Sequence, residues 1–243
     1  MMPTRLLCPP PLAAGQVVAL SRASAHHAVH VLRLALGDPV VLFDGAGGEY
    51  AGAIVTLAGG VEVALSDHLP IERESPLQVV LAQSLVATDK MDWLVQKAVE
   101  LGVAALVPLE TQRCVVRLGG ERAAKRIEHL RQVVIAACEQ CGRNRLPEVA
   151  PLTRLPQFLA AQMEYDGLKL MLAPDAGRRL VDVEAVQQRI VLLVGPEGGF
   201  SDTERQAAEA TGFMAAALGP RILRTETAGL AALAALQARF GDF

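Results

Sequence analysis

Two loops near the C-terminus constrain the fold of this chain more than any other feature. The first, Gly195-Pro196-Glu197-Gly198-Gly199-Phe200, follows the apolar run 190–194, and the second, residues 218–228 (LGPRILRTETA), follows the apolar run 213–218. Each loop joins a short buried strand to the start of a helix, which is where an open parallel sheet presents its ligand crevice. The loops therefore predict an α/β domain with a binding site at the carboxyl ends of its strands.

The residues that flank the two loops predict that both are rigidly anchored. Ser201 and Glu204 have the spacing of a capping box, which predicts a helix from Ser201 to Gly212. Thr225 is predicted to cap a final helix over residues 226–240. Glycine and proline turns also join strands to helices where nothing binds, so either loop alone is weak evidence for a site.

The first third of the chain has a different pattern, in which short predicted strands follow one another closely. Short strand-like segments at 16–20, 39–43, 50–57 and 61–66 are separated by turns rich in glycine and aspartate. They predict a small β-barrel, interrupted by a single helix over 24–34.

The polar stretch 70–76 (PIERESP) is the best candidate for a linker. Beyond it, predicted strands at 77–84, 103–109, 168–173, 190–194 and 213–218 alternate with predicted helices, the longest over 121–141. This alternation indicates a mostly parallel sheet. We predict two domains, residues 1–72 and residues 73–243.

Composition limits the class of protein. The chain has 243 residues, of which 51% are hydrophobic, so buried cores are expected. No apolar run approaches the roughly 18–20 residues needed to span a bilayer, and the proline-rich start lacks the apolar core of a signal peptide. We expect a cytoplasmic protein without a membrane segment.

The net charge of −3 argues against a general nucleic-acid coat, but the charges are unevenly distributed. Residues 113–145 carry eight basic side chains against three acidic ones. Such a patch is typical of RNA binding, although a solvated helix of mixed charge would explain part of it.

Standard metal and nucleotide signatures are missing. Cys138 and Cys141 form a Cys-x-x-Cys pair without two further soft ligands nearby, and His26 and His30 lack a third ligand, so no metal is expected. The sequence contains neither a P-loop nor a Rossmann glycine pattern.

Several long strings of unusual residues resemble one known family. They are the two C-terminal loops together with residues 27–38 (HAVHVLRLALGD), 97–108 (KAVELGVAALVP) and 135–149 (IAACEQCGRNRLPEV). In this order they resemble the RsmE family, the SPOUT-class enzymes that methylate N3 of a uridine in 16S ribosomal RNA. The resemblance covers essentially the whole chain.

The resemblance implies a fold, a cofactor and a partner. It implies a SPOUT-type C-terminal domain with a deep trefoil knot at about residues 168–243, a PUA-like N-terminal β-barrel that binds RNA, and a homodimer with its active site near the subunit interface. It also implies S-adenosylmethionine (SAM) as cofactor, in a pocket formed by Leu172, Gly195, Pro196, Glu197, Gly198, Gly199, Leu218, Gly219, Ile222 and Leu223.

Methylation of N3 requires the loss of the N3 proton, which a general base or a nearby cation would favour. The candidates for this role are Arg113, Glu139, Arg143 and Glu197, of which the first three are predicted to be catalytic. Glu139 and Arg143 belong to a polar helix end that packing does not explain, although Arg143 could simply complement the helix dipole. Which residue accepts the proton stays open.

Four residues are predicted to contact RNA. Arg5, His27 and Arg33 match basic positions of the family in the barrel, whereas Arg224 flanks the second loop, where it would face RNA or pair with Glu226. The expected function is SAM-dependent methylation of a specific 16S uridine. The alternatives are methylation of another base or of a ribose 2′-hydroxyl, and a ribosome-assembly factor without catalysis.

Overall fold

A computed structural model of the chain describes residues 3–184 and 188–243. They fold into two compact units. The first comprises Met1–Glu74 together with Ile135–Leu146, and the second comprises Ser75–Val134 together with Pro147–Phe243. The sequence-based domains, 1–72 and 73–243, are each continuous. The return segment 135–146 of the first unit has no counterpart in the hydropathy pattern.

The first unit is built on a five-stranded sheet. Its elements are β1 (Thr4–Leu7), β2 (Val17–Ala19), α1 (Arg22–His26), a π-helical turn (His27–Val31), β3 (Pro39–Phe43), β4 (Glu49–Thr56) and β5 (Glu62–Leu69). The strand order is β1-β3-β4-β5-β2, with β1 parallel to β3 and the other neighbours antiparallel. Because β1 and β2 end this order, closure into a barrel stays a prediction.

The core of the first unit follows the period-two pattern of its strands. Val40, Leu42, Ile54 and Val63 are essentially buried and belong to one apolar cluster. The predicted helix over 24–34 begins earlier and ends earlier than expected, because Arg33 takes a positive φ of 56° and ends the helical backbone.

The second unit alternates strands and helices. Its elements are β6 (Gln78–Ser84), α2 (Thr88–Glu100), β7 (Ala105–Glu110), α3 (Gly120–Cys141, of which the residues from Ile135 onward belong to the first unit), β8 (Glu148–Val149), β9 (Thr153–Arg154), α4 (Leu155–Ala161), β10 (Leu168–Leu172), a 3₁₀ turn (Leu180–Asp182), β11 (Arg189–Val194), α5 (Asp202–Ala210), β12 (Met214–Ala216) and α6 (Thr225–Phe240).

The sheet of the second unit has the order β12-β10-β11-β6-β7-β8, with β9 also paired to β7. Every pairing is parallel, which confirms the expected sheet type. Side chains from α4 and α5, including Phe158 and Ala208, pack with Val191 and Leu193 of β11 on one face. Helix α6 approaches the other face, where Gly229 lies beside Leu81 and Val194. The central strands are therefore covered on both sides and read as continuous apolar runs.

Among the helices of the described ranges, none combines the length and the apolarity that a bilayer-spanning segment requires.

Candidate functional site

A cavity of about 560 Å³ opens at the carboxyl ends of three neighbouring strands, β12, β10 and β11. Most of its wall is formed by the loops that follow these strands and by the first turn of α6. Parallel sheets bind ligands at this edge, and the volume falls within the roughly 300–1,000 Å³ of small-molecule sites. The position agrees with the one predicted from the two loops.

The loop after β11 is a tight turn whose backbone faces open space. Gly199 has a φ of 67°, and its N–H donates to the carbonyl oxygen of Pro196 at 2.8 Å. A β-carbon built on Gly199 would meet no atom within 4 Å, and the residue lines the cavity. Glycine is therefore required by the backbone conformation, and its missing side chain leaves the cavity wall open to a ligand.

The predicted capping box at the start of α5 is confirmed. Ser201 Oγ accepts a hydrogen bond from the Glu204 N–H at 3.2 Å, and Glu204 Oε2 accepts one from the Ser201 N–H at 2.9 Å. Glu204 Oε1 also accepts from the Gln112 N–H at 2.8 Å. The buried Glu204 carboxylate therefore joins the loop after β7 to the loop after β11.

Arg113 stabilises the same loop through hydrogen bonds from its side chain. Its Nη1 donates to the carbonyl oxygen of Gly198 at 2.9 Å and to that of Phe200 at 3.3 Å, and the residue lines the cavity. A β-carbon on Gly198 would lie 3.3 Å from the Arg113 β-carbon, so the close approach depends on glycine. Arg113 thus shapes the loop, and its predicted part in catalysis stays a prediction.

Thr225 does not cap α6 as the sequence suggested. The N-cap is Arg224, which makes no side-chain capping bond, and Thr225 is the first helical residue. The buried Thr225 hydroxyl donates instead to the carbonyl oxygen of Gly195, and its oxygen accepts from Gln83 Nε2 at 3.1 Å. One side chain therefore ties the second loop to the first.

Charged side chains of both signs line the cavity. Glu226 does not pair with Arg224; its Oε1 lies 3.3 Å from Lys90 Nζ on α2. Asp175 pairs with Arg205 at 2.7 Å, and the hydrogen bond from Arg205 lowers the pKa of Asp175 below its ordinary value. Arg224, an exposed residue, also belongs to the cavity wall.

The ten residues predicted to bind the cofactor all line this one cavity. They come from three separate loops: Leu172 at the end of β10, Gly195, Pro196, Glu197, Gly198 and Gly199 after β11, and Leu218, Gly219, Ile222 and Leu223 after β12.

Glu139 and Arg143 lie in the first unit. Glu139 Oε1 accepts a hydrogen bond from the Leu7 N–H at 2.9 Å, and burial raises the pKa of its carboxyl. The buried Arg143 guanidinium forms a bidentate ion pair with Glu74. Its Nε donates to Oε1 at 3.0 Å, and its Nη2 donates to Oε2. Both residues therefore have structural partners, and their roles in turnover stay predictions.

Arg5, which is predicted to contact RNA, has structural partners within the first unit. Only 8% of its side chain is exposed, and its guanidinium binds Glu49 at 2.5 Å and Asn144. Burial by itself raises the pKa of Glu49, but hydrogen bonds from Arg5, Arg73 and Asn144 outweigh it, and the pKa lies below its ordinary value. A guanidinium enclosed in this way has little surface to offer a phosphate.

The other predicted RNA contacts, His27, Arg33 and Arg224, are exposed. Burial raises the pKa of Cys138 to about 12, which keeps its thiol protonated and a poor metal ligand. Within residues 3–184 and 188–243, no group of three or more His, Cys, Asp or Glu side chains is placed to hold a metal ion.

Sequence reasoning missed part of the cavity wall. Ala173, Pro174 and Asp175 follow β10, and their position after an apolar strand was the signal that could have found them. Lys90 and the Thr225 hydroxyl reach the site only through the packing of α2 and α6, which no local pattern reveals.

Comparison with known proteins identifies the class. Residues 73–237 match the RNA methyltransferase domain family, and residues 20–60 match the RNA methyltransferase PUA domain. Among curated proteins, ribosomal RNA small subunit methyltransferase E of Buchnera aphidicola (subsp. Schizaphis graminum) is 33% identical over 93% of this chain and 92% of its own length. The protein of the same name from Bacillus subtilis is 30% identical over 87% and 86%.

Two solved structures resemble the whole chain. A ribosomal RNA small subunit methyltransferase E from Neisseria gonorrhoeae bound to SAM is 40% identical, with a TM-score of 0.93 and complete coverage of both chains. A methyltransferase from Legionella pneumophila in complex with SAM is 38% identical, with a TM-score of 0.95 and the same coverage. The parallel sheet, its glycine-lined cavity and the family match define an RNA methyltransferase domain. The chain belongs to the family of ribosomal RNA small subunit methyltransferase E.

Proposed function

We propose that this protein transfers a methyl group from SAM to N3 of a specific uridine in 16S ribosomal RNA of the small subunit. The observation that carries the proposal is the cavity at the ends of β10, β11 and β12, which collects all ten residues expected to bind the cofactor. The names of the relatives support a ribosomal RNA substrate, and the two SAM-bound relatives support the cofactor.

The residues of the cavity suit SAM. Its nucleoside would be held by backbone groups of the loops, which glycines at 195, 198, 199 and 219 leave accessible. The wall contains carboxylates at Asp175, Glu197 and Glu226, which suits a ligand that carries a positive sulfonium. When bound, SAM supplies a methyl group on that sulfonium. The protein must then align the acceptor nitrogen and exclude water.

Residues other than the ten that are expected to bind the cofactor also contribute to turnover in this proposal. Arg113 keeps the first loop in the shape that the ligand needs, through its bonds to Gly198 and Phe200. Glu139 and Arg143 act as positioning residues, which hold the segment 135–146 in place through Leu7 and Glu74.

The finer features of the fold and assembly are part of the same proposal. We infer a SPOUT-type trefoil knot within residues 168–243, an N-terminal domain (1–72) that acts as a PUA-like RNA-binding barrel, and a cytoplasmic homodimer. His27, Arg33 and Arg224 are exposed and would contact the RNA backbone.

The test is incubation of the protein with labelled SAM and small subunits from a strain that lacks its gene, followed by mass analysis of the nucleosides. The proposal expects 3-methyluridine at one position. A different methylated nucleoside would replace uridine N3 by another base or a ribose 2′-hydroxyl as acceptor. Absence of SAM binding in isothermal titration would leave only an RNA-binding role in ribosome assembly.

A further inference from the structure

A second, smaller cavity of about 290 Å³ adjoins the first. Its lining residues are Asp89, Lys90 and Trp93 from α2, with Glu226 and Thr227 from the first turn of α6. Lys90 and Glu226 line both cavities and therefore stand at the boundary between them. A group bound in the smaller cavity would lie beside one bound in the larger.

The carboxylate of Glu226 is incompletely satisfied. Only 9% of its side chain is exposed, and Oε1 lies 3.3 Å from Lys90 Nζ, but the buried Oε2 has no hydrogen-bond partner among the described residues. A buried carboxylate oxygen without a donor is costly, and in native proteins it calls for an explanation. A ligand that brings an N–H group to this carboxylate would supply the missing donor.

Trp93 gives the same cavity an aromatic wall. It is the single tryptophan of the chain, and 46% of its surface is exposed. Unpaired RNA bases stack on aromatic side chains and are read through hydrogen bonds to their Watson–Crick edges. Uracil presents there an N3–H donor between two carbonyl acceptors, which complements a carboxylate beside an ammonium group.

We propose that the smaller cavity holds the acceptor uracil, stacked on Trp93, with Glu226 as the group that accepts the N3 proton and Lys90 as the cation beside the carbonyl oxygens. This inference rests on the proposed function and adds the proton acceptor to it. Cytosine has no N3 proton and would place its nitrogen lone pair against the carboxylate, so the same pair selects uracil.

The N3–H bond breaks and the proton moves to the Glu226 carboxylate, while Lys90 stabilises the negative charge shared by N3 and the carbonyl oxygens. The N3 electron pair forms the bond to the methyl carbon as the carbon–sulfur bond of the sulfonium breaks, which leaves a neutral thioether. Glu226 then returns the proton to solvent.

The experiment measures methyl transfer to small subunits from the gene-deficient strain and SAM binding by titration, for the wild type and five variants. Glu226→Gln should lower kcat by about 10²–10⁴-fold with SAM affinity within about threefold of wild type. Glu226→Asp should recover part of that loss. Trp93→Ala should raise the KM for subunits about tenfold, whereas Trp93→Phe should not. Glu164→Gln, an exposed carboxylate outside both cavities, is the matched control and should behave as wild type.

Three outcomes would overturn the assignment while leaving the proposed function intact. If wild type forms 3-methyluridine and Glu226→Gln forms it at the same rate, Glu226 is not the proton acceptor. If Glu226→Gln instead weakens SAM binding more than about tenfold at unchanged kcat, Glu226 contacts the cofactor. If Trp93→Ala changes the oligomeric state but not the KM, a second copy of the chain covers the cavity. Absence of 3-methyluridine with wild type would contradict the proposed function itself.

Discussion

The Thr225 hydroxyl donates a hydrogen bond to the carbonyl oxygen of Gly195, across 30 residues of sequence. The two residues belong to different loops, and each loop forms a wall of the same cavity. Gln83 Nε2 on β6 donates to the Thr225 oxygen at 3.1 Å, so both loops are held against a central strand. The shape of the pocket therefore depends on one buried hydroxyl that acts as both donor and acceptor.

Replacement of Thr225 by valine should weaken the pocket without changing its volume. The substitution removes the donor to the Gly195 carbonyl and one of the two acceptors of the Gln83 amide. A buried polar group left without its partner costs about 1–3 kcal/mol. We expect a lower free energy of unfolding by about 2 kcal/mol and SAM affinity reduced about tenfold, measured by denaturant titration and calorimetry. Thr225→Ser keeps the hydroxyl and should retain affinity. Equal affinity in the valine and serine variants would contradict the role of this bond.

Gly199→Val should abolish SAM binding, because valine avoids a φ of 67° and its side chain would extend from the cavity wall. Gly59→Val is the matched control. Gly59 has a φ of 78°, and its β-carbon would also meet no atom within 4 Å, but it lies in a turn of the first unit. Both variants should lose about 1–2 kcal/mol of stability, and titration with SAM should separate them. Binding by Gly199→Val would remove this loop from the proposed cofactor site.

Arg113→Lys tests the bonds that shape the first loop. Lysine keeps the positive charge but loses the guanidinium Nη1 that donates to the carbonyl oxygens of both Gly198 and Phe200. A loss of about 1 kcal/mol of hydrogen-bond free energy predicts that SAM binds about fivefold more weakly. Arg117→Lys changes a neighbouring exposed arginine that binds Gln112 and Glu110, and serves as the comparison. If both variants bind SAM alike, the loop does not depend on Arg113.

Arg143→Ala should separate turnover from cofactor binding. The substitution removes the cation from Glu74, and breaking a buried ion pair costs about 3 kcal/mol or more. We expect unchanged SAM affinity and at least a hundredfold loss of methyl transfer, with lower stability in chemical denaturation. Arg145→Ala breaks an exposed pair with Glu72 and should cost less than about 1 kcal/mol. Full methyl transfer by Arg143→Ala would show that its role is only structural.

The Glu49 network predicts acid sensitivity of the first unit. The folded-state pKa of Glu49 is lowered, so its contribution to stability is fully present above its ordinary pKa of 4.5 and is lost as the pH falls through the folded value. Glu139, whose pKa burial raises, contributes a slope of the opposite sign.

The pH dependence of the unfolding free energy should therefore be compared between wild type and Glu49→Gln. The glutamine variant should be less stable near pH 7, and the difference should shrink below pH 4.5. A difference that is independent of pH would contradict this assignment.

Local sequence patterns predicted much of the secondary structure. The strand-like segments between turns rich in glycine and aspartate predicted β3, β4 and β5 closely, and the capping box predicted the start of α5, because these signals lie within a few residues of one another. Strands β1, β8 and β9 were missed because two to four residues do not establish a period. The order of the strands follows from tertiary contacts and was not predictable from the alternation.

The residues of the candidate site also divide into those that a local sequence pattern predicts and those that only tertiary packing brings there. Residues of the two glycine-rich loops were predictable, since each glycine and proline acts on its own turn. Lys90 lines the pocket from α2, and Gln83 on β6 supports it through its bond to Thr225. Arg5 is enclosed because Asn144 and Glu49 surround it. A charged residue gives no local sign of whether it meets solvent or a partner from another part of the chain.

The return of residues 135–146 to the first unit also sets an order of events during synthesis. The first 74 residues leave the ribosome early, but Glu139 and Asn144, which bind Leu7, Arg5 and Glu49, are translated much later. Until then the Leu7 N–H lacks its acceptor Glu139, and the Arg5 guanidinium can pair with Glu49 but lacks Asn144. The folding of the first unit can therefore be completed only after residues 135–146 have been translated, although N-terminal units commonly fold first.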